Sequence, residues 1–532
     1  MDFKSSSKWI TNLTLLIPML VIWSVGCGPK PISIEKGIAQ LFVDDYLIES
    51  GENLKRTLHQ PIKDSGGEKP IIALDDEFGN FGATLEANGT IVYDPRIKKY
   101  VMFALGFSPH GRVPHPERRW EFYRRYRFTS EDGMNWIKGD DGNPQCVYPR
   151  SKEELYDSES GTYARNIDAF SCYYDISDPE YPYKGWQHFA DWGDDREGMY
   201  FTKSKDGLFW ERGSMVVNGY AGKNDPFFRK IHQDGRTLVG TGDVTIFYHD
   251  PVDDRLLGIF KFYSPEPVAY GNRLRSRAYV FLDHPLDEPF DISRIDHIEL
   301  IPPAAEINND MPHDEYYGST AWRYESMWLG GLKIWHGKGD YSWSAAGCAY
   351  LKLVSSRNGL RWSKVSFPND DGSPEVFIPN GPEGGNNGQN DGGYITEFSQ
   401  GPLRIGDELI FYYGCSSYGK NHPDSIRVSG GGIFRARLRI DGFVSVDGGT
   451  VTTKLLSFGG RNLYLNAVGP VTVEIIKTKG KILGSQTVKG NSLRHQLTFG
   501  GKSFAETTNG KPVQLRFTVG PNGHLYSFTV DE

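Results

Sequence analysis

A short phrase, Ser-x-Asp/Asn-Gly-x-x-Trp, occurs three times and limits what this chain can build. It reads SEDGMNW from Ser130 to Trp136, SKDGLFW from Ser204 to Trp210 and SRNGLRW from Ser356 to Trp362. The first two copies start about 74 residues apart and the third follows after about twice that interval, the signature of a repeat with one degenerate copy. Asp-Gly or Asn-Gly makes a tight turn between strands, because Gly tolerates positive φ, and the Trp that follows is a large apolar anchor. One such phrase is an ordinary hairpin. Three in register predict repeated β units.

Between residues 38 and 442 five units of one plan can be laid out. Each has a first strand with an acidic residue near its start, often closing in Tyr-Asp-Pro, then a second apolar strand, then a third that leads into the turn phrase. The first strands are LEANGTIVYDP (Leu85 to Pro95), ARNIDAFSCYYD (Ala164 to Asp175), GTGDVTIFYHDP (Gly240 to Pro251), DEYYGSTAWRYE (Asp314 to Glu325) and NDGGYITEF (Asn390 to Phe398). Unit three lacks the Trp phrase, and in unit five Asp441-Gly442-Phe443 replaces it. No long amphipathic helix pattern stands out, while aromatics reach 13% and Gly numbers 62, which favours an all-β chain. Antiparallel units of about 75 residues cannot close their own edges, and radial repetition solves this as a five-bladed β-propeller. An array of β-sandwiches is the alternative, but it needs units nearer about 100 residues with Greek-key connections. Beyond it, residues 445–532 alternate apolar and polar positions in VTVEII, PVQLRFTVG and HLYSFTV, predicting a C-terminal β-sandwich for support or ligand binding.

The net charge of −8 and the lack of a basic surface exclude general nucleic-acid binding. Residues 1–27 read as a signal segment: Lys4 and Lys8 precede an apolar run from Leu13 to Trp23, then Ser24, Val25 and Gly26 lead to Cys27. Cys27 stands where bacterial lipoproteins carry their lipidated cysteine, although Ser24 replaces the usual Leu; a simple cleaved signal is the alternative. Either way the mature chain is expected to be exported, periplasmic or at the cell surface, touching a membrane only through that anchor. Cys146, Cys172, Cys348 and Cys415 lack metal-ligand spacing and allow either disulfides or buried thiols. No metal or cofactor is called for.

The LFVDDYLIES opening with NLKRTLHQPIK, the turn-Trp phrase, WRYESMWLG, GDELIFYYG and the tail RLRIDGFVSVDGG with RNLYLNA resemble a family of exported bacterial proteins with a glycoside hydrolase family 32 N-terminal-like domain. The resemblance covers nearly the whole mature chain. It implies a carbohydrate-active five-bladed propeller, related to families 32 and 43, whose three catalytic carboxylates lie on innermost strands of the first three blades. The Asn-Asp-Pro-Asn and Glu-Cys-Pro motifs of family 32 enzymes are missing, and Asn224-Asp225-Pro226 falls outside the strand pattern.

Glycoside hydrolysis needs one protonated carboxyl for the leaving oxygen and one ionised carboxylate as nucleophile or base. Acidic residues at the first-strand starts would converge on a propeller axis. Asp168, Asp243 and Glu325 are the expected catalytic set, Glu325 as the acid because Trp322 and Tyr324 beside it offer apolar surroundings. Glu86, Asp314, Asp391, Arg125, Arg273 and Trp186 are the expected substrate-binding residues. Arg124, Arg125 and Arg127, and the alternating Arg273, Arg275 and Arg277, suit either a carboxylated or sulfated sugar or salt bridges between blades. Trp186, Trp192 and Trp335 suit sugar stacking or blade core, and Asp191, Asp194 and Asp195 suit a calcium ion or a solvated loop. The expected activity is hydrolysis of a plant or algal oligosaccharide or polysaccharide; a non-catalytic glycan-binding protein is the competing class.

Overall fold

The computed structural model describes residues 30–73, 85–86, 91–107, 120, 123–139, 145–158, 161–190, 197–218, 244–263, 274–283, 286–295, 298–301, 314–337, 347–367, 375–419, 431–477 and 480–532. The signal segment, Asp243, Arg273, Trp192 and the 191–195 acidic loop lie outside them.

The chain is nearly all β, and the strands that the sequence groups into units pair antiparallel with their neighbours in the chain. The units' first strands are Leu85–Glu86 with Ile91–Asp94, Asn166–Tyr174, Ile246–Asp250, Asp314–Ser319 with Trp322–Tyr324, and Tyr394–Phe398 with Leu403–Ile405. Each pairs with a second strand: Lys99–Phe107, Tyr183–Ala190, Arg255–Tyr263, Met327–Gly337 and Glu408–Ser416. The third strands are Tyr123–Ser130, Gly198–Ser204, Arg275–Leu282, Gly347–Ser356 and Gly432–Arg439. Tyr183–Ala190 is buried at every position, as a strand covered on both faces must be. Units four and five share one sheet through a single parallel bridge, Ala349 to Tyr394.

Hydrophobic cores lie between consecutive units. Phe103 of unit one packs with Phe170 and Tyr183 of unit two, Trp186 of unit two with Phe247 of unit three, and Tyr279 of unit three with Trp362 of unit four. Leu353 of unit four packs with Phe411 of unit five. A further core joins Tyr412 and Ile433 of unit five to Met102 and Phe128 of unit one, so the series of interfaces closes on itself.

The turn phrase supplies the staples. In each copy the Asp or Asn side chain accepts two backbone N–H groups: Asp132 from Met134 and Asn135, Asp206 from Leu208 and Phe209, Asn358 from Leu360 and Arg361. Gly133, Gly207 and Gly359 have φ between 71° and 76°. Trp210 and Trp362 each donate Nε1–H to the carbonyl of their own turn Gly. Each Trp then packs on the preceding unit: Trp136 on Tyr412, Trp210 on Phe103 and Trp362 on Tyr279.

The N-terminal segment closes the ring. Ile62–Lys63 and Ile72–Ala73 add to the outer edge of Gly432–Arg439. Lys63 Nζ meets the buried Asp391 carboxylate at 2.6 Å, the Tyr413 hydroxyl donates to the same oxygen at 2.7 Å, and Asp64 takes Arg435 and Arg437.

Two boundaries differ from the sequence expectation. Residues 48–58, assigned above to the repeated part, run along Val444–Thr453, and Gln40–Leu41 pairs with His524–Asp531. They thus belong with the C-terminal segment. Most of that segment's strands belong to one nine-stranded sheet, while Leu456–Phe458 pairs separately with Ile32–Ile34. The edge strands of the nine-stranded sheet, Lys481–Val488 and Asn491–Leu497, follow one another across the Lys489-Gly490 turn, so the sheet curls until its ends meet around a single core. Alternation alone cannot tell such a sheet from a sandwich. The four described cysteines are free thiols, with Cys172 and Cys415 buried.

Candidate functional site at the loop-bearing end of the axis

The two ends of the first strands differ. At their C-terminal ends four of them turn tightly into the second strands, through Pro95–Lys98, Pro251–Asp254, the two-residue turn Glu325-Ser326 and Gly406-Asp407, while in unit two residues 175–182 intervene. Residues of all five first strands line one cavity there, so these strands surround the axis. At the other end the second and third strands of four units are separated by longer stretches, 108–122, 264–274, 338–346 and 417–431, and those of unit two by 191–197. Loop-bearing ends on a rigid scaffold are where binding and catalytic groups concentrate.

Several polar groups gather at that loop-bearing end. The Phe247 N–H donates to the Ser171 hydroxyl at 3.1 Å, which brings Asp168, three residues earlier, to about the level of Val244, the neighbour of Asp243. Arg277, fully buried, donates to the carbonyls of Val244 (2.9 Å), Tyr316 (3.0 Å) and Tyr317, tying unit three to unit four at this level. Arg275 meets Glu315 at 2.8 Å, both nearly buried, and lies over the Tyr317 ring. Lys333 donates to the Thr396 carbonyl and sits over Tyr317 and Tyr394, joining units four and five. Nearer the loops, Asp314 is wholly buried and takes His336 Nδ1 at 2.9 Å and the Tyr350 hydroxyl at 3.1 Å, while His336 remains partly exposed.

The sequence-predicted residues divide as follows. Asp168 and Asp314 stand at this end, and Glu86 lies at the start of its strand with its side chain outside the described residues. Asp243 and Arg273 precede the described Val244 and Leu274. Glu325 does not join them. It is in the turn at the opposite end, nine residues of strand away from the His336 level, or about 30 Å at the usual rise. Its carboxylate accepts from the Ala39 N–H at 2.8 Å and meets Arg404 at 3.4 Å; burial pushes its pKa up, as the sequence suggested, but at the wrong mouth.

Three expected binding residues are structural instead. Arg125 is in a third strand, its guanidinium carbon 3.6 Å from the Phe170 ring centroid and 4.7 Å from that of Trp210, buried in the core between units one and two. Trp186 is wholly buried between units two and three and donates to the Leu286 carbonyl at 2.8 Å. Asp391 holds the ring closure with Lys63 and Tyr413. A basic strand face next to an aromatic-rich core is filled by cation–π contacts as readily as by substrate. Sequence reasoning passed over Glu315 and His336. Glu315 adjoins Asp314 in the same strand and could have been read from it; His336 is recognised only through the pairing of the first and second strands.

No protein-family model matches the chain, and no curated protein matches it in sequence. Solved structures to which it is similar include glycoside hydrolases. One is a family 43 arabinoxylan arabinofuranohydrolase from Bacillus subtilis in complex with cellotetraose, 9% identical over 88% of this chain and 100% of the other, with a TM-score of 0.35. Another is a family 117 glycoside hydrolase produced by the marine bacterium Zobellia galactanivorans, 9% identical over 72% and 89%, with a TM-score of 0.36. A thermostable family 43 glycoside hydrolase is 13% identical over 68% and 93%, with a TM-score of 0.38. Identities and TM-scores this low leave the chemistry of this chain to be argued from its own side chains.

Proposed function

We propose that the chain is a five-bladed β-propeller glycoside hydrolase acting on a plant or algal glycan at the loop-bearing end of its axis. What supports this reading is that the first strands of units two, three and four are tied together near Asp168, by the Phe247 N–H to the Ser171 hydroxyl and by Arg277 to the Val244 and Tyr317 carbonyls. Two carboxyl groups on adjacent inner strands are the minimum for acid-assisted displacement at an anomeric carbon. In this reading one of Asp168 and Asp243 works ionised as base or nucleophile. His336, held through Nδ1 by buried Asp314, orients the sugar or shares the proton. The Arg275–Glu315 pair and Lys333, held against the Tyr317 ring, fix the walls between units.

Export, with a lipid on Cys27, completes the proposal; it rests on the N-terminal sequence. Fatty-acid labelling of the expressed protein that disappears in a Cys27→Ala variant tests it. Hydrolysis is tested by incubating the purified chain with arabino-, xylo-, galacto- and agaro-oligosaccharides and detecting new reducing ends. Product from at least one panel member is expected. Sugar binding without product from any of them favours the glycan-capture reading instead.

A further inference from the structure

The turn end of the axis holds a cavity of about 820 Å³, within the range of small-ligand sites. Its walls come from all five units, and Tyr173, Tyr174, Tyr248, Trp322 and Tyr324 make it strongly aromatic. Polar groups are set among the rings: His249, Arg323, Glu325, Gln400 and Arg404. Tyr173 and His249 stack at 4.3 Å in its wall. Glu325, in the left-handed region at φ 49°, is presented into the wall by its turn and anchored by the Ala39 N–H and Arg404.

We propose that this cavity binds a short oligosaccharide, at a site separate from the carboxylates of the loop-bearing end. A sugar ring offers C–H faces to aromatic rings and adjacent hydroxyls to carboxylate, amide and guanidinium groups, and this wall holds both kinds of partner. A phosphate or sulfate suits it less. Arg323 already lies 3.6 Å from Asp250 and from Asp253, and Arg404 faces Glu325, so these cations are neutralised in place. An acyl chain suits it less still, because it offers no hydrogen bonds to a wall that carries five polar side chains. Hydrolysis is not proposed here. Glu325 is the one carboxylate among the described lining residues, and acid-assisted displacement needs two.

The test uses the full chain carrying Asp168→Asn, so that ligand is not consumed. Xylotetraose, arabinotetraose and tetragalacturonate are titrated by calorimetry, and hydrogen exchange is followed with each. At least one is expected to bind and to slow exchange in residues 171–176, 322–326 and 400–405. Tyr93→Ala and Arg404→Ala, each added to that chain, are expected to weaken binding by about tenfold or more. Both side chains are largely exposed, 47% for Tyr93 and 60% for Arg404, so both variants should melt with the parent. Failure of all three sugars to bind, protection confined to other segments, or parental affinity in both variants would overturn the proposal. Reducing-end release by the unsubstituted chain is read separately, so loss of one reading does not decide the other.

Discussion

Asp314 and Glu325 belong to one hairpin yet stand at opposite ends of the axis. Asp314 pairs in register with His336, and Tyr324, next to Glu325, pairs with Met327 at the far end of the same second strand. The first is buried and bonded to His336 and Tyr350; the second faces a cavity and leans on a backbone N–H and a half-exposed Arg. Their chemistry therefore has to be assigned separately.

Burial raises the pKa of Glu325 above its ordinary 4.5, against the opposing pull of the Ala39 N–H. A carboxyl with a raised folded pKa binds more protons folded than unfolded, so its ionisation subtracts stability as pH rises from about 4.5 through the folded value. Glu325→Gln keeps an acceptor for Ala39 and removes that charge. Thermal melts should show the variant more stable than the parent at pH 7, with the gap closing below pH ~4.5. A gap independent of pH contradicts this account.

Arg125 is a buried cation whose Nε and Nη1 find no hydrogen-bond acceptor among the described residues, and burial lowers its pKa to about 9. The rings of Phe170 and Trp210 repay part of the desolvation. Replacing even a buried ion pair by apolar side chains of similar volume is often neutral or stabilising by about 1–4 kcal/mol, and an unpaired charge has less attraction to lose. Arg125→Met should melt at or above the parent temperature and leave hydrolysis unchanged. A large loss of activity would restore its reading as a substrate ligand.

Gly359 and Gly490 both have positive φ, 76° and 80°, but differ in their surroundings. A Cβ on Gly359 would stand 2.6 Å from Phe281 Cζ and 3.1 Å from Trp328, whereas nothing lies within 4 Å of one on Gly490. Gly490→Ala should cost only the conformational penalty, about 1–2 kcal/mol. Gly359→Ala adds overpacking of about 1–3 kcal/mol. Denaturant melts of the two variants check the difference, and equal losses would mean that Phe281 moves aside.

Much of the ring is legible in the sequence because its signals are local. The Ser-x-Asp-Gly phrase makes its own hydrogen bonds, and strand lengths follow from the apolar runs. The pairing of residues 48–58 with Val444–Thr453 is not legible, since nothing local ties segments about 390 residues apart. The end of the axis at which a side chain emerges is equally hidden. Trp322, Tyr324 and Glu325 continue the unit-four strand past Ser319, and only the pairing with Met327 shows that they have crossed to the turn end. Arg125 and Trp186 were misread for a related reason: alternation says that they leave the sheet on one face, not that a neighbouring sheet covers that face.

The central claim is that hydrolysis is carried by carboxylates of adjacent first strands at the loop-bearing end. The direct measurement is kcat/KM of Asp168→Asn and Asp243→Asn on the best oligosaccharide, with melting curves to confirm folding. Each substitution is predicted to lower kcat/KM by about 10²–10⁴-fold. Parental turnover in both variants, or turnover abolished by Glu325→Gln alone, would contradict it.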